Sequence, residues 1–111
     1  MKDSSRKFRH RVYFERQVEI VDSNGDHSRE WEYITTQWCE IKPLSGRELL
    51  LAQQVQSSVS TNIVTRYRDD LDAKCRGTHN GVVYSILAVI RDPQSGIEWM
   101  TLQCSAGTND G

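Results

Sequence analysis

Short segments in which apolar and polar side chains alternate, separated by turn-forming clusters, recur along most of this 111-residue chain. In the first segment, about Phe8 to Val21, apolar side chains concentrate at even positions and charged ones at odd positions, so one face is expected to be largely buried. The segment from Asp22 to Asp26 then supplies residues that tolerate the backbone of a tight turn, and it predicts a hairpin. This alternation, repeated at regular spacing, predicts a β fold.

The returning strand, about Arg29 to Ile41, is rich in aromatic and β-branched residues but alternates less cleanly. Simple alternation places Ile34 and Trp38 on the face opposite Trp31 and Tyr33. A strand with apolar residues on both faces is either bulged or covered on its outer side. We favour covering by a neighbouring subunit.

Four more strand-like segments follow along the chain. The Asn80-Gly81 dipeptide strongly favours a two-residue hairpin turn and precedes an almost entirely apolar segment. We expect that segment, Val82 to Ile90, to be the central strand, buried on both faces. The whole set predicts an all-β (mainly β) fold: a small six-stranded antiparallel β-barrel or sandwich with one short inserted helix or long loop. The other three segments are about Val59 to Arg68, Lys74 to Thr78 and Ile97 to Ala106.

A capped helix interrupts the strand pattern after Pro43. Ser45 and Glu48 have the spacing of a capping box, in which each side chain accepts a hydrogen bond from the other residue's backbone amide. From Gly46 to about Gln56 the composition favours a helix, and much of its surface is polar. A helix of about ten residues is marginal in water by itself, so we expect it to dock on another surface.

The length of the chain and the distribution of its charges predict one domain that follows a basic N-terminal segment. We expect a flexible basic arm over residues 1–7, a single β-barrel domain over residues 8–106 with an inserted loop-helix at 43–57, and a frayed tail at 107–111. Residues 1–11 carry five basic side chains and one acidic side chain, a net charge of +4, whereas the whole chain carries −1. The rest of the chain therefore sums to −5, and a mildly acidic body is a poor polyanion binder.

The sequence predicts neither a membrane span nor a secretory signal. Its longest apolar run, Ile86 to Ile90, is strand-sized, and no apolar stretch follows the charged N-terminus. Cys39, Cys75 and Cys104 are an odd number of cysteines in strand-like surroundings. We expect buried free thiols rather than a disulfide.

The sequence contains no set of reactive side chains at catalytic or metal-binding spacing. His10, His27 and His79 are isolated from one another and from cysteine, so zinc is not expected. The segment from Asp22 to Asp26 begins like a calcium loop, but position six is His27 and position twelve is Tyr33, so a plain turn fits better. Phosphate-binding loops and nucleophile elbows are missing as well. We therefore expect no enzyme activity, no metal and no cofactor.

Basic and aromatic residues suggest an alternative of a different class, a single-stranded nucleic-acid-binding β-barrel. The Arg66-Tyr67-Arg68 tripeptide and the basic arm are typical of single-strand binders. A strand with Tyr67 inward and both arginines outward gives the same sequence, with the arginines solvated or at an interface. We favour this second interpretation because the body of the chain is acidic.

The segment from Lys42 to Gln54 resembles a known family. Its Pro-Leu-Ser-Gly-Arg-Glu block is similar to that of the phage head–tail joining proteins, the head-closure or stopper proteins of tailed phages, and the resemblance extends over about residues 8–104. Cys39 is a mild departure, since a small alanine is more usual after the tryptophan. The other matching residues are Arg11, Val12, Asp22 to Gly25, Trp31, Gln37 to Glu40, Thr61, Ile63, Arg66 to Arg68, Gly81, Tyr84, Ile86, Leu102 and Cys104.

This resemblance implies a structural virion protein of the phage neck. It implies a small β-barrel that assembles as a ring of its own copies, a dodecamer, with a portal-adaptor protein above and a tail terminator or tail protein below. The ring would retain packaged DNA in its channel without sequence-specific binding and would provide the tail attachment surface. The protein would act in the virion after assembly in the host cytoplasm, with no membrane partner. A tail-completion or adaptor component of the same connector is the nearest alternative.

Two groups of residues are the expected contact sites. The loop-helix would project from the barrel and make subunit or adaptor contacts, with Arg47 and Glu48 pairing across the interface and Leu49 to Leu51 as the apolar anchor. The residues of this group are Leu44, Ser45, Gly46, Arg47, Glu48, Leu49, Leu50, Leu51, Gln53 and Gln54. The second group, a candidate channel or partner contact, is basic and consists of Arg6, Lys7, Arg9, Arg11, Arg66 and Arg68.

Overall fold

A computed structural model describes residues 8–55 and 58–107, so the predicted basic arm and all but the first residue of the predicted tail lie outside the described residues. In the described part, six antiparallel strands close into a barrel in the order β1-β2-β3-β6-β5-β4. The expected all-β fold with one short helix is confirmed, in its barrel form. The elements are β1 His10–Val21, β2 His27–Pro43, α1 Gly46–Gln54, β3 Thr61–Arg66, β4 Cys75–His79, β5 Val82–Arg91 and β6 Trp99–Ala106.

One apolar core fills the inside of the barrel. Val12 and Phe14 on β1, Ile63 on β3 and Leu102 on β6 are completely excluded from solvent. Leu102 pairs with Ile63 on one side and with Val89 of β5 on the other, so the core face is continuous across these three neighbouring strands. Each such buried side chain stabilises the folded state by about 1.5–3 kcal/mol relative to leaving it exposed.

A β-bulge in β2 explains the irregular alternation of that strand. The register of β1 and β2 shifts by one residue at Ile34, which has no partner on β1. Beyond this bulge Trp31 and Tyr33 share the outer face with Trp38, whereas Ile34 packs against the core. The expectation that Ile34 and Trp38 share a face opposite Trp31 is therefore wrong, because one extra residue reverses the alternation. A covering subunit is not needed to account for the pattern.

The β1–β2 hairpin is longer than the barrel. β4 pairs with β1 only over Tyr13 to Arg16, and β3 pairs with β2 only over Cys39 to Pro43. Residues 18–21 and 27–30 therefore pair only with each other, and residues 18–30 form a two-stranded ribbon that extends beyond the barrel. The expectation that one face of the first strand is largely buried holds for Val12 and Phe14 but not for the ribbon. Ile20 is 39% exposed because its side of the ribbon has no opposite wall to pack against.

β5 is buried on one face only. Tyr84, Ile86 and Val89 pack in or against the core, whereas Leu87 and Ile90 are exposed. The expectation of a central strand buried on both faces is wrong, because β5 is one wall of a closed barrel and its outer face meets solvent. Its nearly continuous apolar run also includes a bulge at Leu87, where the register with β6 shifts.

The segment between β3 and β4 contributes to the core, although its composition is mostly polar. Leu71 is only 3% exposed and packs within the main cluster, and Tyr67 packs against that cluster as expected from strand alternation. Because Leu71 stands among polar residues, the sequence pattern does not predict its burial.

All three cysteines are buried free thiols, as expected. Burial raises the pKa of Cys39 to about 11 and that of Cys104 to about 12, so neither thiol ionises at neutral pH. These side chains behave as small apolar core residues.

The first hairpin turn is shaped by its own side chains. The Asp22 carboxylate accepts hydrogen bonds from the amides of Asn24 and Asp26 at 2.9 and 2.8 Å, and Gly25 has a positive φ of 83°. This is the plain turn expected in preference to a calcium loop. Over residues 8–55 and 58–107, no three His, Cys, Asp or Glu side chains are grouped so as to hold a metal ion.

Candidate interaction surfaces

The loop-helix begins with a complete capping box. The Ser45 hydroxyl accepts a hydrogen bond from the Glu48 amide at 3.2 Å, and the Glu48 carboxylate accepts one from the Ser45 amide at 2.8 Å. The bond from the Ser45 amide lowers the pKa of the Glu48 carboxyl below its ordinary value. Two of the free amides at the start of the helix are thereby satisfied, and α1 begins at Gly46 as predicted.

α1 exposes its apolar side chains to solvent. None of its residues is buried, and Leu50, Leu51 and Val55 expose 63%, 57% and 74% of their surface. Every predicted contact residue from Ser45 to Gln54 is exposed. No helix in the described part of the chain is long and apolar enough to cross a membrane. Exposed apolar clusters of this kind are typical of surfaces that interact with other molecules.

The base of the loop-helix is tied to the barrel. The Leu44 amide donates to the Ser60 carbonyl at 2.9 Å, and the Ser60 amide donates to the Cys104 carbonyl at 2.8 Å. The Ser60 hydroxyl also accepts from the Ala106 amide at 2.9 Å. The half-buried Leu44 therefore fixes where the segment leaves the barrel, while none of the helix residues beyond it is buried by the described part of the chain.

Two of the predicted contact arginines stack on tryptophans. The guanidinium carbon of Arg11 lies 5.3 Å from the ring centroid of Trp38, and that of Arg66 lies 5.0 Å from Trp99. The strand registers place these four side chains in one row across the outer faces of β1, β2, β3 and β6. The ring centroid of Phe8 lies 5.1 Å from that of Trp99. We call the row of Arg11, Trp38, Arg66 and Trp99 the arginine–tryptophan ladder.

Of the other predicted basic residues, Arg9 and Arg68 are described, and both lie outside this row. Arg68 donates two hydrogen bonds to the Asp70 carboxylate at 2.9 and 2.7 Å, and these bonds lower the pKa of Asp70. Arg68 is thus held within its own loop. Arg9 is exposed at the start of the barrel, and Arg6 and Lys7 lie outside the described residues.

The ribbon carries the opposite charge. Residues 18–30 include four acidic side chains and one basic side chain. In the β1–β2 register, Val18 and Ile20 share one face with Glu30 and with Glu32, which lies just outside the ribbon, opposite Arg16. That face continues the inner face of the barrel beyond its end, and both glutamates on it are exposed. We call Val18, Ile20, Glu30 and Glu32 the acidic ribbon face.

Two arginines clamp the base of the ribbon to the barrel. Arg16 donates to a backbone carbonyl of the β3–β4 loop at 2.7 Å and pairs with Asp72 at 3.3 Å. On the outer face, Arg76 of β4 pairs with Glu15 at 3.0 Å and lies 4.0 Å from the ring centroid of Trp31. These contacts span strands far apart in the chain, so the ribbon leaves the barrel in a defined direction.

Two open concavities beside the ribbon base have no catalytic arrangement. Their volumes are about 200 and 260 Å³, and their linings include Gln17 and Lys74. Cys75 lines the first, but burial raises the pKa of its thiol, which is the reverse of what a nucleophile needs. Within the described ranges, neither lining pairs this thiol with a histidine.

Comparisons with known proteins place this barrel in a family. A family model described as phage head completion protein matches residues 4–107, nearly the whole chain. The chain belongs to the phage head completion protein family. It is similar to the head completion protein gp16 of Bacillus phage SPP1, with 32% identity over 92 residues that cover 81% of this chain and 82% of that protein. The expected family is confirmed, and this head completion protein is a virion component.

Solved structures share the fold of the head completion protein. Protein SF1141 from Shigella flexneri 2a superposes with a TM-score of 0.77 at 21% identity, covering 98% of this chain and 100% of that one. A chain from the virion of a native gene transfer agent particle superposes with a TM-score of 0.59 at 16% identity, covering 91% and 94%. At these identities the likeness concerns the fold.

Sequence reasoning identified half of the ladder and none of the acidic ribbon face. Arg11 and Arg66 were expected at a contact, but their tryptophan partners depend on cross-strand register, which the bulge at Ile34 shifts for the Arg11–Trp38 pair and which β3 and β6 set for the Arg66–Trp99 pair. Val18 and Ile20 were expected in the core because their alternation is that of a buried strand. The excess of acidic residues around the first turn was the available signal that this end of the hairpin lies in solvent.

Proposed function

We propose that this head completion protein assembles as a ring of twelve copies beneath a portal-adaptor protein, where it retains packaged DNA and provides the surface to which the tail attaches. Its role is structural and involves no catalysis or cofactor. The protein folds in the host cytoplasm and joins the neck once the head is filled. It contacts the adaptor above, a tail protein below and the DNA in the channel, the last without reading its sequence.

The observation that carries this proposal is the loop-helix. It is anchored at Leu44 and capped at Ser45, yet it presents three strongly exposed apolar side chains, Leu50, Leu51 and Val55. A helix this short gains most of its stability from packing of its apolar face. A neighbouring copy or the adaptor would supply that packing, with Arg47 and Glu48 at the edge of the contact.

The basic residues before the barrel are assigned to the channel or the adaptor. Arg6, Lys7 and Arg9 lie close together in the sequence, and phosphate contacts of this kind are electrostatic and independent of base sequence. Replacing these three residues together with Arg11 by glutamine should reduce DNA retention. Unchanged retention and unchanged docking of the ring would remove this assignment.

The experiment that tests the proposal is complementation of a phage that lacks its own copy of this gene. In the test variant, a short glycine–serine linker replaces residues 46–55, which leaves the barrel core intact. We expect a folded chain that fails to retain DNA in heads and fails to attach tails. Wild-type titres of tailed, DNA-filled particles from this variant would contradict the proposal.

A matched pair of substitution variants separates the helix surface from exposed apolar residues in general. Serine at Leu50, Leu51 and Val55 should reproduce the deletion. Serine at Ile90 and Ile97, which are comparably exposed on the β5–β6 side, should leave particle yield unchanged. Equal effects of the two variants would show that solubility rather than docking is being measured.

Location of the protein distinguishes neighbouring roles in the connector. A closure ring is present in purified DNA-filled heads before tails are added, whereas a tail-completion component is present in isolated tails. Immunoblots of the two fractions decide between them.

A further inference from the structure

Two surfaces of the chain are complementary in charge and in apolar content. We propose that the acidic ribbon face of one copy docks on the arginine–tryptophan ladder of the next copy and that this contact joins neighbouring subunits. The inference rests on the ring assembly proposed above and names the two surfaces that form its subunit contact.

The ladder presents two guanidinium groups in fixed positions. Arg11 and Arg66 each lie against a tryptophan ring, so their side chains lose little further conformational freedom on binding. Trp38 stands between them in the register and exposes 53% of its surface. An exposed tryptophan flanked by arginines has the composition of the energetic centre of a protein interface.

The acidic ribbon face offers a matching arrangement. Glu30 and Glu32 are two residues apart on one strand, a separation of about 7 Å, with Val18 and Ile20 beside them. Arg11 and Arg66 are two strands apart, about 10 Å. Both separations are within reach of flexible glutamate and arginine side chains. The valine and isoleucine would then cover the exposed face of Trp38.

A copy cannot satisfy its own ladder with its own ribbon. Arg11 and Ile20 are nine positions apart on one continuous strand, a distance of about 30 Å, and the hairpin is clamped to the barrel by Arg16 and Arg76. Each copy therefore carries the acidic ribbon face at one end of the hairpin and the arginine–tryptophan ladder at the other. Head-to-tail use of two different surfaces is the arrangement that closes into rings.

A second copy fits the ladder better than a nucleic acid does. The ladder contributes two cations, and Glu40 stands on the same outer face, where it pairs with Val64. Phosphate backbones are bound by larger numbers of basic groups, and the body of this chain is acidic. Carboxylates flanked by apolar side chains match this mixture of charges and rings more closely.

The test is an exchange of charge between the two surfaces in the complementation assay. The variant E30R/E32R has two basic surfaces, and the variant R11E/R66E has two acidic ones. Each alone should yield roughly tenfold fewer DNA-filled, tailed particles, or fewer still, because like charges meet at every subunit contact. Coexpression of the two variants should restore particles, since subunits can alternate around the ring. The chain that carries all four substitutions should restore them as well.

Each outcome of the exchange decides the inference. Rescue by coexpression and by the fourfold variant supports it and shows that the variants fold. Wild-type yields from either charge variant alone, or absence of rescue despite unchanged thermal unfolding of both variants, overturns it. Loss of single-stranded DNA binding by R11E/R66E in filter assays, with no rescue, would assign the ladder to nucleic acid instead.

The proposed function has a separate readout in the same preparation. If the charge variants complete heads normally while the wild-type protein is found in DNA-filled heads, the subunit contact lies elsewhere and the proposed role stands. If the wild-type protein is missing from heads, the proposed role itself fails. As a control, E19Q changes the opposite face of the ribbon, where Glu19 pairs with His27 at 2.8 Å, and it should leave the yield unchanged.

Discussion

The two ends of the β1–β2 hairpin carry the same alternating sequence pattern but have opposite environments. At the barrel end, Val12 and Phe14 are completely buried, whereas at the ribbon end Ile20 is 39% exposed. The difference arises from the neighbouring strands. β4 pairs with β1 only as far as residue 16, and β3 pairs with β2 only over residues 39–43, so neither strand flanks the ribbon. Alternation therefore specifies which face a side chain occupies, but the presence of an opposite wall decides whether that face is a core.

We expect different residues to determine the stability of the single chain and its assembly with other copies. The barrel interior buries its apolar side chains within one chain, whereas the ribbon, α1 and the outer face at Trp38 present apolar side chains to solvent. Substitutions inside the barrel should mainly change the free energy of unfolding, and substitutions on the ribbon, on α1 and on the arginine–tryptophan ladder should mainly change association. Pairs of variants at interior and exposed positions test this division.

Phe14→Ala should destabilise the chain by about 3–5 kcal/mol, because it leaves a cavity in the centre of the barrel. Ile20→Ala, on the same strand face, should cost less than about 1 kcal/mol because that side chain is already partly in water. Urea denaturation followed by circular dichroism measures both. Equal losses for the two variants would mean that the ribbon end is packed in the isolated protein.

Gly77→Ala should cost about 1–3 kcal/mol by overpacking. Gly77 lies opposite Phe14, and a Cβ there would approach the Val12 Cγ1 atom to 2.6 Å. The matched variant Gly46→Ala adds a methyl group at the start of α1, where nothing lies within 4 Å, and should leave stability within about 0.5 kcal/mol. Thermal unfolding compares them, and a neutral Gly77→Ala would show that the barrel wall yields easily at this point.

Arg76→Met should cost about 1–2 kcal/mol, because the partly buried Glu15 carboxylate loses its partner and Trp31 loses the cation above its ring. Arg47→Met, on the exposed surface of α1, serves as the control and should be neutral in the isolated chain. If Arg76→Met is equally neutral, the clamp does not hold the ribbon base.

Ser45→Ala should leave global stability nearly unchanged but fray α1, because none of the described α1 residues is buried against the barrel. The protection factors of the amides at residues 46–49, taken relative to their intrinsic exchange rates, should fall. Acid should lower the same protection factors, since the Glu48 pKa is lowered by its bond to the Ser45 amide. Its contribution is present above the ordinary glutamate pKa and is lost as the pH falls through the lowered value. Protection factors that respond to neither change would contradict the capping assignment.

Local chemistry made much of the fold predictable from the sequence. Asn80 and Gly81 adopt the positive φ angles, 52° and 81°, that their hairpin turn requires. The capping box at Ser45 and Glu48 forms as its spacing predicts. In each case the residues that determine the structure lie within a few positions of one another.

Features set by distant strands could not be predicted in this way. The bulge at Ile34 and the burial of Leu71 depend on contacts between segments far apart in the chain. The same reason applies to the candidate sites. The loop-helix is a local signal, whereas the ladder exists only once Arg66 and Trp99 are brought into register by β3 and β6.

A cryo-electron microscopy map of the neck of the phage that encodes this chain would show whether the barrel forms the proposed ring. We expect a closed ring of copies of this barrel beneath the portal and adaptor, with each α1 packed on a neighbour or on the adaptor. A neck in which this barrel is missing from that position, or in which α1 remains exposed to solvent in every copy, would contradict this expectation.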